Sequence, residues 1–356
     1  MEAHEAYRAI GEKFNNQDNP HFIHLLEYLM TPDQVRVAAE LPAPYEEIAS
    51  KLGMDVATVN KHIDDMFLKG LVFPRDFKTR EGARFARNIV QLHDATQSNI
   101  FMDHKANKEL YDRWEAFSRE GGGDRQYALT YVQRWEETVG KQRRSRVVPA
   151  YQSIKNNPDM IPADDIREVL KNASLIAVVA CSCRKRADAV GRSCEKSHEG
   201  NCFQFGRGAE YQLVKGTGRQ ITYDEAIKVL EETEEDGLVH SWGNSTNMNG
   251  SVMCSCCHDC CVDWDRLTRN DIPISYRWEK SRYLAQIDDE LCNGCQNCFD
   301  RCQFDAIEMV KPVGSRIYKA VMDDDKCFGC GVCVLDCAPN AIALKAVRPP
   351  EFIPVG

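Results

Sequence analysis

A cysteine pattern that occurs twice near the end of this 356-residue chain constrains its fold more than any other feature. The first copy runs from Cys292 to Cys302 and the second from Cys327 to Cys337, and both have the spacing Cys-x2-Cys-x2-Cys-x3-Cys. The repeat continues past the cysteines, because Ala306-Ile307 and Ala341-Ile342 have the same offset within their copies and each begins an apolar segment. We therefore expect two similar loops, each followed by a short strand.

Cysteines at this spacing suit a [4Fe-4S] cluster. One tight loop places three thiolates on three corners of the cluster, while its backbone N–H groups point at the sulfides. The fourth cysteine of each copy is expected at a short helix, turned away from its own loop and toward the other cluster. Zinc and disulfides are the alternatives, and the doubled spacing disfavours both.

Residues from about 283 to 347 resemble a bacterial two-cluster ferredoxin. The resemblance implies a ferredoxin fold, single-electron transfer and crossed ligation of two [4Fe-4S] clusters. It places one cluster on Cys292, Cys295, Cys298 and Cys337, and the other on Cys327, Cys330, Cys333 and Cys302. The family usually has proline directly after the fourth cysteine, whereas here Gln303 follows the first copy and Ala338-Pro339 follows the second. This departure is expected to change the packing over a cluster without removing a ligand.

The middle of the chain holds a second concentration of cysteines. They are Cys181, Cys183, Cys194, Cys202, Cys254, Cys256, Cys257, Cys260 and Cys261. Such a density predicts a metal site, and we expect a subset of these residues to hold one or two further [4Fe-4S] clusters. Structural zinc is the alternative, bound by four of the thiolates or by three of them and His258. A surplus thiol or an iron with an open position would make such a centre reactive.

The residues around the central cysteines give further expectations about the metal site. The adjacent pairs Cys256-Cys257 and Cys260-Cys261 point in different directions in any regular backbone, so each pair is expected to serve two sites, or to supply one ligand and one packing residue. The basic run 184–186 after Cys183 either offsets the charge of a cluster or forms a solvated turn. Three histidines lie near cysteines: His198, His240 and His258. They are expected to be hydrogen-bonding neighbours, and His258 is the best candidate for a metal ligand.

The pattern of elements predicts an α+β protein with three domains. Residues 1–150 form a mainly helical region with a winged helix-turn-helix at about 20–75, residues 151–280 an α/β cysteine-rich domain, and residues 281–356 the two-cluster ferredoxin domain. In the central domain, an apolar run at 174–180 predicts a buried strand, and helices are expected from Pro162 and after Thr222, where Glu225 completes a capping box.

The winged helix is predicted from a helix-turn-helix at 45–72, with Gly53 at the turn. The apolar residues of its second helix recur at three- and four-residue steps: Val56, Val59, Ile63, Met66 and Phe67. A DNA-binding helix needs excess positive charge, but this helix-turn-helix has three basic residues and three acidic ones at the positions that matter. The whole chain carries a net charge of -9. Nucleic acid is therefore disfavoured as a partner, and the module is expected to pack, dock or pair two copies as a homodimer.

The chain has no apolar stretch that spans a membrane and no signal-peptide pattern at its start, so a cytoplasmic location is expected. Cysteines at ligand-like spacings also fit a reducing compartment. The complete arrangement resembles the uncharacterised iron-sulfur proteins of anaerobic bacteria and archaea, which implies a low-potential pathway.

These features are compatible with three functions. The first is an electron-transfer protein or subunit that exchanges single electrons with a partner oxidoreductase. The second is a reductase whose catalytic centre lies among the central cysteines, although no acid–base pair or nucleotide motif identifies a substrate. The third is a redox-sensing regulator that binds DNA through the winged helix. The sequence leaves open whether the chain is itself an enzyme.

Overall fold

The computed structural model describes residues 1–137, 143–192, 194–247 and 250–355. Its α-helices are α1 (Ala3–Glu12), α2 (Pro20–Leu29), α3 (Pro32–Glu40), α4 (Tyr45–Leu52), α5 (Val56–Lys69), α6 (Ile89–Gln97), α7 (Lys108–Glu115), α8 (Gly123–Glu137), α9 (Tyr151–Ile154), α10 (Ile166–Asn172), α11 (Ser182–Ala189), α12 (Arg207–Lys215), α13 (Tyr223–Glu235), α14 (Val262–Thr268), α15 (Asn297–Arg301) and α16 (Val332–Leu335). Its strands are β1 (Val72–Phe73), β2 (Arg84–Phe85), β3 (Ser145–Val148), β4 (Ile176–Val179), β5 (Cys202–Phe205), β6 (Arg219–Gln220), β7 (Val239–Gly243), β8 (Val252–Cys256), β9 (Trp278–Glu279), β10 (Tyr283–Ile287), β11 (Ile307–Val310), β12 (Lys319–Met322) and β13 (Ile342–Ala346). This mixture of helix and strand confirms the α+β class. Among the described residues, no helix combines the length and the apolar character needed to cross a bilayer.

The chain divides into two compact units. Unit 1 comprises residues 1–130, 177–200 and 207–220, and unit 2 comprises residues 131–176, 201–206 and 221–356. The three domain boundaries expected from the sequence stay a prediction.

Unit 1 is built largely of helices around one apolar core. Helices α1 to α7 contribute most of that core, which includes Phe22, Phe67 and Trp114. Helices α4 and α5 are joined at Gly53, whose φ of 66° is the left-handed conformation that glycine adopts without strain. The buried face of α5 carries Val59, Ile63, Met66 and Phe67, as its spacing predicts, and β1 and β2 pair antiparallel after it. Its assignment to the winged-helix class stays a prediction.

The second part of unit 1 carries the first central cysteines. Strand β4 is buried throughout and pairs antiparallel with β6, so the expected buried strand is confirmed. Cys181 is the N-cap of α11, directly beyond β4. Helix α12 follows later in the chain and packs Tyr211 against Phe67 and Phe73, which joins it to the core of the unit.

Unit 2 contains a sheet in which five of its strands lie in the order β5-β8-β7-β3-β9. The pairs β5–β8, β8–β7 and β7–β3 are antiparallel, and β9 is parallel to β3. Helix α13 precedes β7 and begins at Thr222 with the expected capping box to Glu225. The helix expected from Pro162 begins as a 3-10 turn and continues as α10, because the Asp165 side chain caps a new N-terminus by accepting from the Arg167 N–H.

The C-terminal part of unit 2 has two antiparallel strand pairs, β10 with β13 and β11 with β12. Each cysteine loop passes into a short helix, α15 in the first copy and α16 in the second. A strand follows each helix, and these are the two strands that the sequence repeat predicts. The pseudo-repeat of the sequence is therefore also a repeat of structure.

Candidate metal centres

Four cysteines drawn from both copies of the repeat line one cavity. They are Cys292, Cys295, Cys298 and Cys337. Burial and the thiols of the other three raise the pKa of Cys298 to about 11. Ile287, Met309 and Ile342 contribute apolar lining. The last cysteine of the second copy thus lies with the first three of the first copy.

The reciprocal group consists of Cys302, Cys327, Cys330 and Cys333. Burial raises the pKa of Cys330 to about 12, and the nearby thiols of Cys302 and Cys327 add to the effect. Backbone N–H groups point at two of the sulfurs: Gly329 donates to Cys327 Sγ over 3.4 Å, and Ala306 donates to Cys302 Sγ over 3.3 Å.

The donor sets of both groups fit an iron-sulfur cluster. Each group offers thiols alone, and backbone N–H groups directed at sulfur are the hydrogen bonds that such clusters receive. A bound cation favours the thiolate, so it would allow thiols with raised pKa values to ionise near neutral pH. The two groups contain the cysteines that the ferredoxin resemblance pairs, and their ligation of two clusters stays a prediction.

Glycine is required at one corresponding position in each loop. Gly294 and Gly329 have φ values of 75° and 66°. A Cβ atom on Gly294 would overlap the carbonyl oxygen of Tyr318, and one on Gly329 would overlap the carbonyl oxygen of Tyr283. Only glycine combines the left-handed conformation with so close an approach of another backbone.

The two departures from the ferredoxin pattern have structural roles. Gln303, which follows Cys302, accepts a hydrogen bond from the backbone N–H of His258 at 2.9 Å, and the same oxygen lies 2.8 Å from His258 Nδ1. Its amide donates to the Gly237 carbonyl at 3.3 Å. Pro339 lines the first cavity although it is one residue later than in the family pattern. The glutamine therefore connects the second cysteine group to the loop of central cysteines.

Three central cysteines come together at the end of β8. Hydrogen bonds with the thiols of Cys254 and Cys261, together with burial, raise the pKa of Cys256 well above its usual value. Cys254 and Cys256 lie two residues apart on one strand and so point to the same face. We call Cys254, Cys256 and Cys261 the thiol trio.

A second set lies in the loop that follows β8. The ligand atoms of Cys257, Asp259 and Cys260 are all within 4.8 Å of one another. The adjacent pairs Cys256-Cys257 and Cys260-Cys261 therefore each send one thiol to the trio and one to this second set. The separation follows from the opposite directions of consecutive side chains, as expected from the sequence.

A partly buried cation lies beside the trio. Burial alone would lower the pKa of Arg277, but Tyr131, Asp263 and Cys254 hold it well above its usual value. Its guanidinium donates to Asp263 Oδ2 at 2.7 Å and to Ser145 Oγ at 2.6 Å, which fixes the position of the charge. A fixed positive charge favours thiolate over thiol at Cys254.

The thiol trio and the second cysteine group share one buried core. That core contains Cys256 and Cys261 together with Cys330, and Cys254 packs against it. Aromatic side chains fill the space: Phe304 stacks on Phe328 with ring centroids 4.3 Å apart and contacts Trp264 at 4.8 Å. These thiols therefore lie in one water-poor region of unit 2.

The remaining central cysteines are Cys181, Cys183, Cys194 and Cys202. In unit 1, a hydrogen bond with Cys183, followed by burial, raises the pKa of Cys181 well above its usual value. Cys194 lies in the loop after α11, also in unit 1. Cys202 begins β5 in unit 2, where Gln204 Nε2 lies 3.7 Å from its sulfur.

The basic run after Cys183 is not a solvated turn. Arg184, Lys185 and Arg186 are each at most 2% exposed. Lys185 donates to the Asn99 carbonyl, and Arg186 donates to Ser118 Oγ at 2.9 Å. The run therefore supplies buried positive charge directly after the Cys181–Cys183 pair.

The three histidines near cysteines differ in their surroundings. His240 is buried, and its Nδ1 lies 3.1 Å from Ser255 Oγ on the neighbouring strand. His258 is hydrogen-bonded to Gln303. His198 lies in unit 1 with its ring edge against His104, at a centroid distance of 4.8 Å. Sequence reasoning identified neither His104 nor Arg277, since each comes to its site through the fold rather than through a motif.

The C-terminal part of the chain matches a known family. Residues 291–342 match the model of the 4Fe-4S dicluster domain. No curated protein and no solved structure matches the chain. The match confirms a ferredoxin-like, metal-binding iron-sulfur domain at the C-terminus, and with it an electron-transfer role.

Proposed function

We propose that this chain is a carrier with three or more iron-sulfur centres, which exchanges single electrons with a redox partner protein. Two [4Fe-4S] clusters would be held by the crossed cysteine groups of the repeat, and a further centre would be held around the thiol trio. When bound, such clusters accept and release one electron at a time.

The shared core of the trio and Cys330 carries this proposal. Electron transfer through protein needs redox centres held close together, and one continuous apolar core contains thiols from both groups. Phe304, Phe328 and Trp264 exclude water from the space beside these thiols. Arg277 offsets the negative charge that the thiolates of the trio would bring.

The first cysteine loop of the repeat fits exchange with a partner. Cys295 is exposed, and the large apolar side chains of Leu291 and Phe299 beside it are 51% and 48% exposed. Exposed apolar side chains near a redox site are typical of transient protein interfaces. We place the contact of the redox partner at this loop.

A reductase is the second candidate, and one observation favours it. Cys257 and Cys260 have the Cys-x-x-Cys spacing of redox-active dithiols, and their sulfurs lie within 4.8 Å of each other and of a carboxylate oxygen of Asp259. As a dithiol, the pair would reduce a disulfide substrate and become a disulfide itself. The DNA-binding alternative is disfavoured further, since Lys69 of α5 is engaged by the Leu29 carbonyl and Gln34.

Anaerobic metal analysis of three proteins tests the carrier. We would determine iron and acid-labile sulfide per chain, and record EPR spectra during reductive titration, for the wild type, Cys256→Ser and the control Ser255→Ala. We expect the wild type to hold more iron and sulfide than two [4Fe-4S] clusters contain, and Cys256→Ser alone to lose the surplus and one EPR signal. If all three proteins held the same iron, at the content of two clusters, the proposal of a third centre would be rejected.

The same preparations separate the two candidates. Thiol-specific alkylation before and after mild oxidation reports whether Cys257 and Cys260 form a disulfide. Protection of the two residues as metal ligands under both conditions favours the carrier. Reversible loss of two reactive thiols, with iron unchanged, favours the reductase.

A further inference from the structure

A cluster of two histidines and one aspartate lies in unit 1, apart from the cysteines of the repeat. His104 lies in the segment between α6 and α7, Asp188 on the last turn of α11, and His198 in the loop that follows. One ligand atom from each residue lies within 4.8 Å of the other two. We propose that this triad binds a divalent first-row transition-metal ion, either zinc or ferrous iron, with a coordination position left open.

The chemistry of the donors supports the proposal. Two imidazole nitrogens and one carboxylate oxygen make up the protein ligands of many catalytic zinc sites and of mononuclear ferrous sites. All three residues are partly buried, so the site is shielded while still accessible to a small ligand. A set of three protein ligands leaves room for water or a small anion on the metal.

The geometry of the triad is close to that of a metal site. His104 Nε2 and Asp188 Oδ2 share a hydrogen bond, and the rings of His104 and His198 meet at 81°. A tetrahedral ion with bonds of about 2.1 Å separates its ligand atoms by about 3.4 Å. Small side-chain rotations, with loss of the His104–Asp188 hydrogen bond, complete such a site.

A ring nitrogen without a hydrogen-bond partner is an independent observation that points to a bound metal ion. Nδ1 of His198 is buried and has no hydrogen-bond partner among the residues that the structure describes. A buried polar atom without a partner costs free energy, about 1–3 kcal/mol, and a metal ion satisfies such a nitrogen.

The charges around the triad are compatible with a cation. Lys105 Nζ lies 3.8 Å from Asp188 Oδ2, but its side chain is 73% exposed and is free to swing into solvent. Lys185 directs its ammonium to the Asn99 carbonyl. Glu199 and Asp188 add negative charge near His198, which opposes the positive charge of Lys185 there.

The triad is also tied to the first central cysteines. The backbone N–H of Cys181 donates to the carbonyl of His198 at 2.7 Å, and α11 carries Cys181 at its N-cap and Asp188 in its last turn. One short helix therefore sets the position of the cysteine pair and of a metal ligand.

Metal content tests the proposal in the full-length protein purified without oxygen. We would compare the wild type with His104→Ala, Asp188→Asn and the control His24→Ala, an exposed histidine of the same unit. Zinc, iron and acid-labile sulfide are measured in each. Because [4Fe-4S] clusters hold equal iron and sulfide, iron in excess of sulfide reports a mononuclear ferrous ion.

We expect the wild type and His24→Ala to hold one zinc, or one iron in excess of sulfide, that both triad variants lack. Unchanged sulfide in the variants shows that their clusters and fold are intact. Equal zinc and equal excess iron in all four proteins would overturn the proposal.

X-ray absorption of the wild type decides between these outcomes even if a variant fails to fold. Nitrogen and oxygen scatterers at about 2.0–2.1 Å with imidazole features identify the triad, whereas sulfur at about 2.3 Å identifies cysteine-bound zinc. A spectrum with sulfur ligands alone would reject the triad as a zinc site. Mössbauer spectra that contain cluster iron alone would reject it as a ferrous site.

Discussion

The two cysteine loops of the repeat have the same spacing but different surroundings. In the second loop Cys327, Cys330 and Cys333 are all buried, whereas in the first Cys295 is exposed and Cys292 is only partly buried. Cys330 of the second loop lies in the core that also holds the thiol trio, whereas Cys295 of the first loop is open to solvent. Burial, rather than ligand spacing, therefore distinguishes two similar sites.

One pair of corresponding positions in the two loops reflects this difference in burial. Gln296 and Gly331 follow the middle cysteine of their loops, and both have left-handed φ values, 70° and 76°. A Cβ atom on Gly331 would overlap Ser153 Oγ. Gln296 is exposed, so its side chain has space, and the loop tolerates the strain of a residue other than glycine there.

Loss of a buried ligand should have the largest effect. We expect Cys330→Ser to lose the iron of one cluster and also to destabilise the fold by about 1–3 kcal/mol, because a hydroxyl is left unsatisfied in an apolar core. Cys295→Ser should lose at most the iron of one cluster and keep its thermal stability. Iron content and thermal unfolding under nitrogen measure both quantities. Equal destabilisation of the two variants would contradict the difference in burial.

Iron should leave the two sites at different rates. When the protein is oxidised mildly in the presence of a water-soluble iron chelator, we expect a fast phase from the exposed site and a slower phase from the buried one. If opening the buried site costs about 1.4 kcal/mol more, the rates differ about tenfold. Cys295→Ser serves as the control, because it should remove the fast phase alone. A single phase in the wild type would show that both sites open together.

The ligands and the local elements of the repeat could be predicted from the sequence, because its spacing and its period of apolar residues are local signals. The grouping of Cys337 with the first loop needed a family resemblance, since the contact joins distant parts of the chain. The sequence also predicted that the two thiols of each adjacent pair, Cys256-Cys257 and Cys260-Cys261, would go to different places, because consecutive side chains point in different directions. Which thiols would meet was not predictable, because β8 and its following loop decide it.

Other parts of the candidate sites left no signal in the sequence. Arg277 lies beside Cys254 through pairing of distant segments, and His104 meets Asp188 across 84 residues of chain. The basic run 184–186 looked equally suited to a solvated turn or to charge compensation, and its burial depends on partners in other elements such as Ser118 and Asn99.

An exchange of the residues at the two corresponding positions should test the packing difference between the loops. We expect Gly331→Gln to destabilise the protein by roughly 1–2 kcal/mol from the left-handed backbone, with a further cost from the overlap with Ser153. Gln296→Gly should be neutral or stabilising by up to about 1 kcal/mol, since it relieves the same backbone strain. Thermal unfolding of both variants measures the effect. Partial rescue of Gly331→Gln by Ser153→Gly would identify the overlap as a cause.

The smallest expected effect concerns the link between the second cysteine group and the central loop. Gln303→Ala removes the acceptor of the His258 backbone N–H, so we expect a loss of about 1 kcal/mol in unfolding free energy. Iron content should not change, because no ligand is removed, but the EPR signal of the buried site should alter, since Gln303 directly follows Cys302. Gln286→Ala, an exposed glutamine of β10, is the matched control and should change neither quantity. If Gln303→Ala left both stability and spectrum unchanged, the glutamine would fill space without connecting the two cysteine regions.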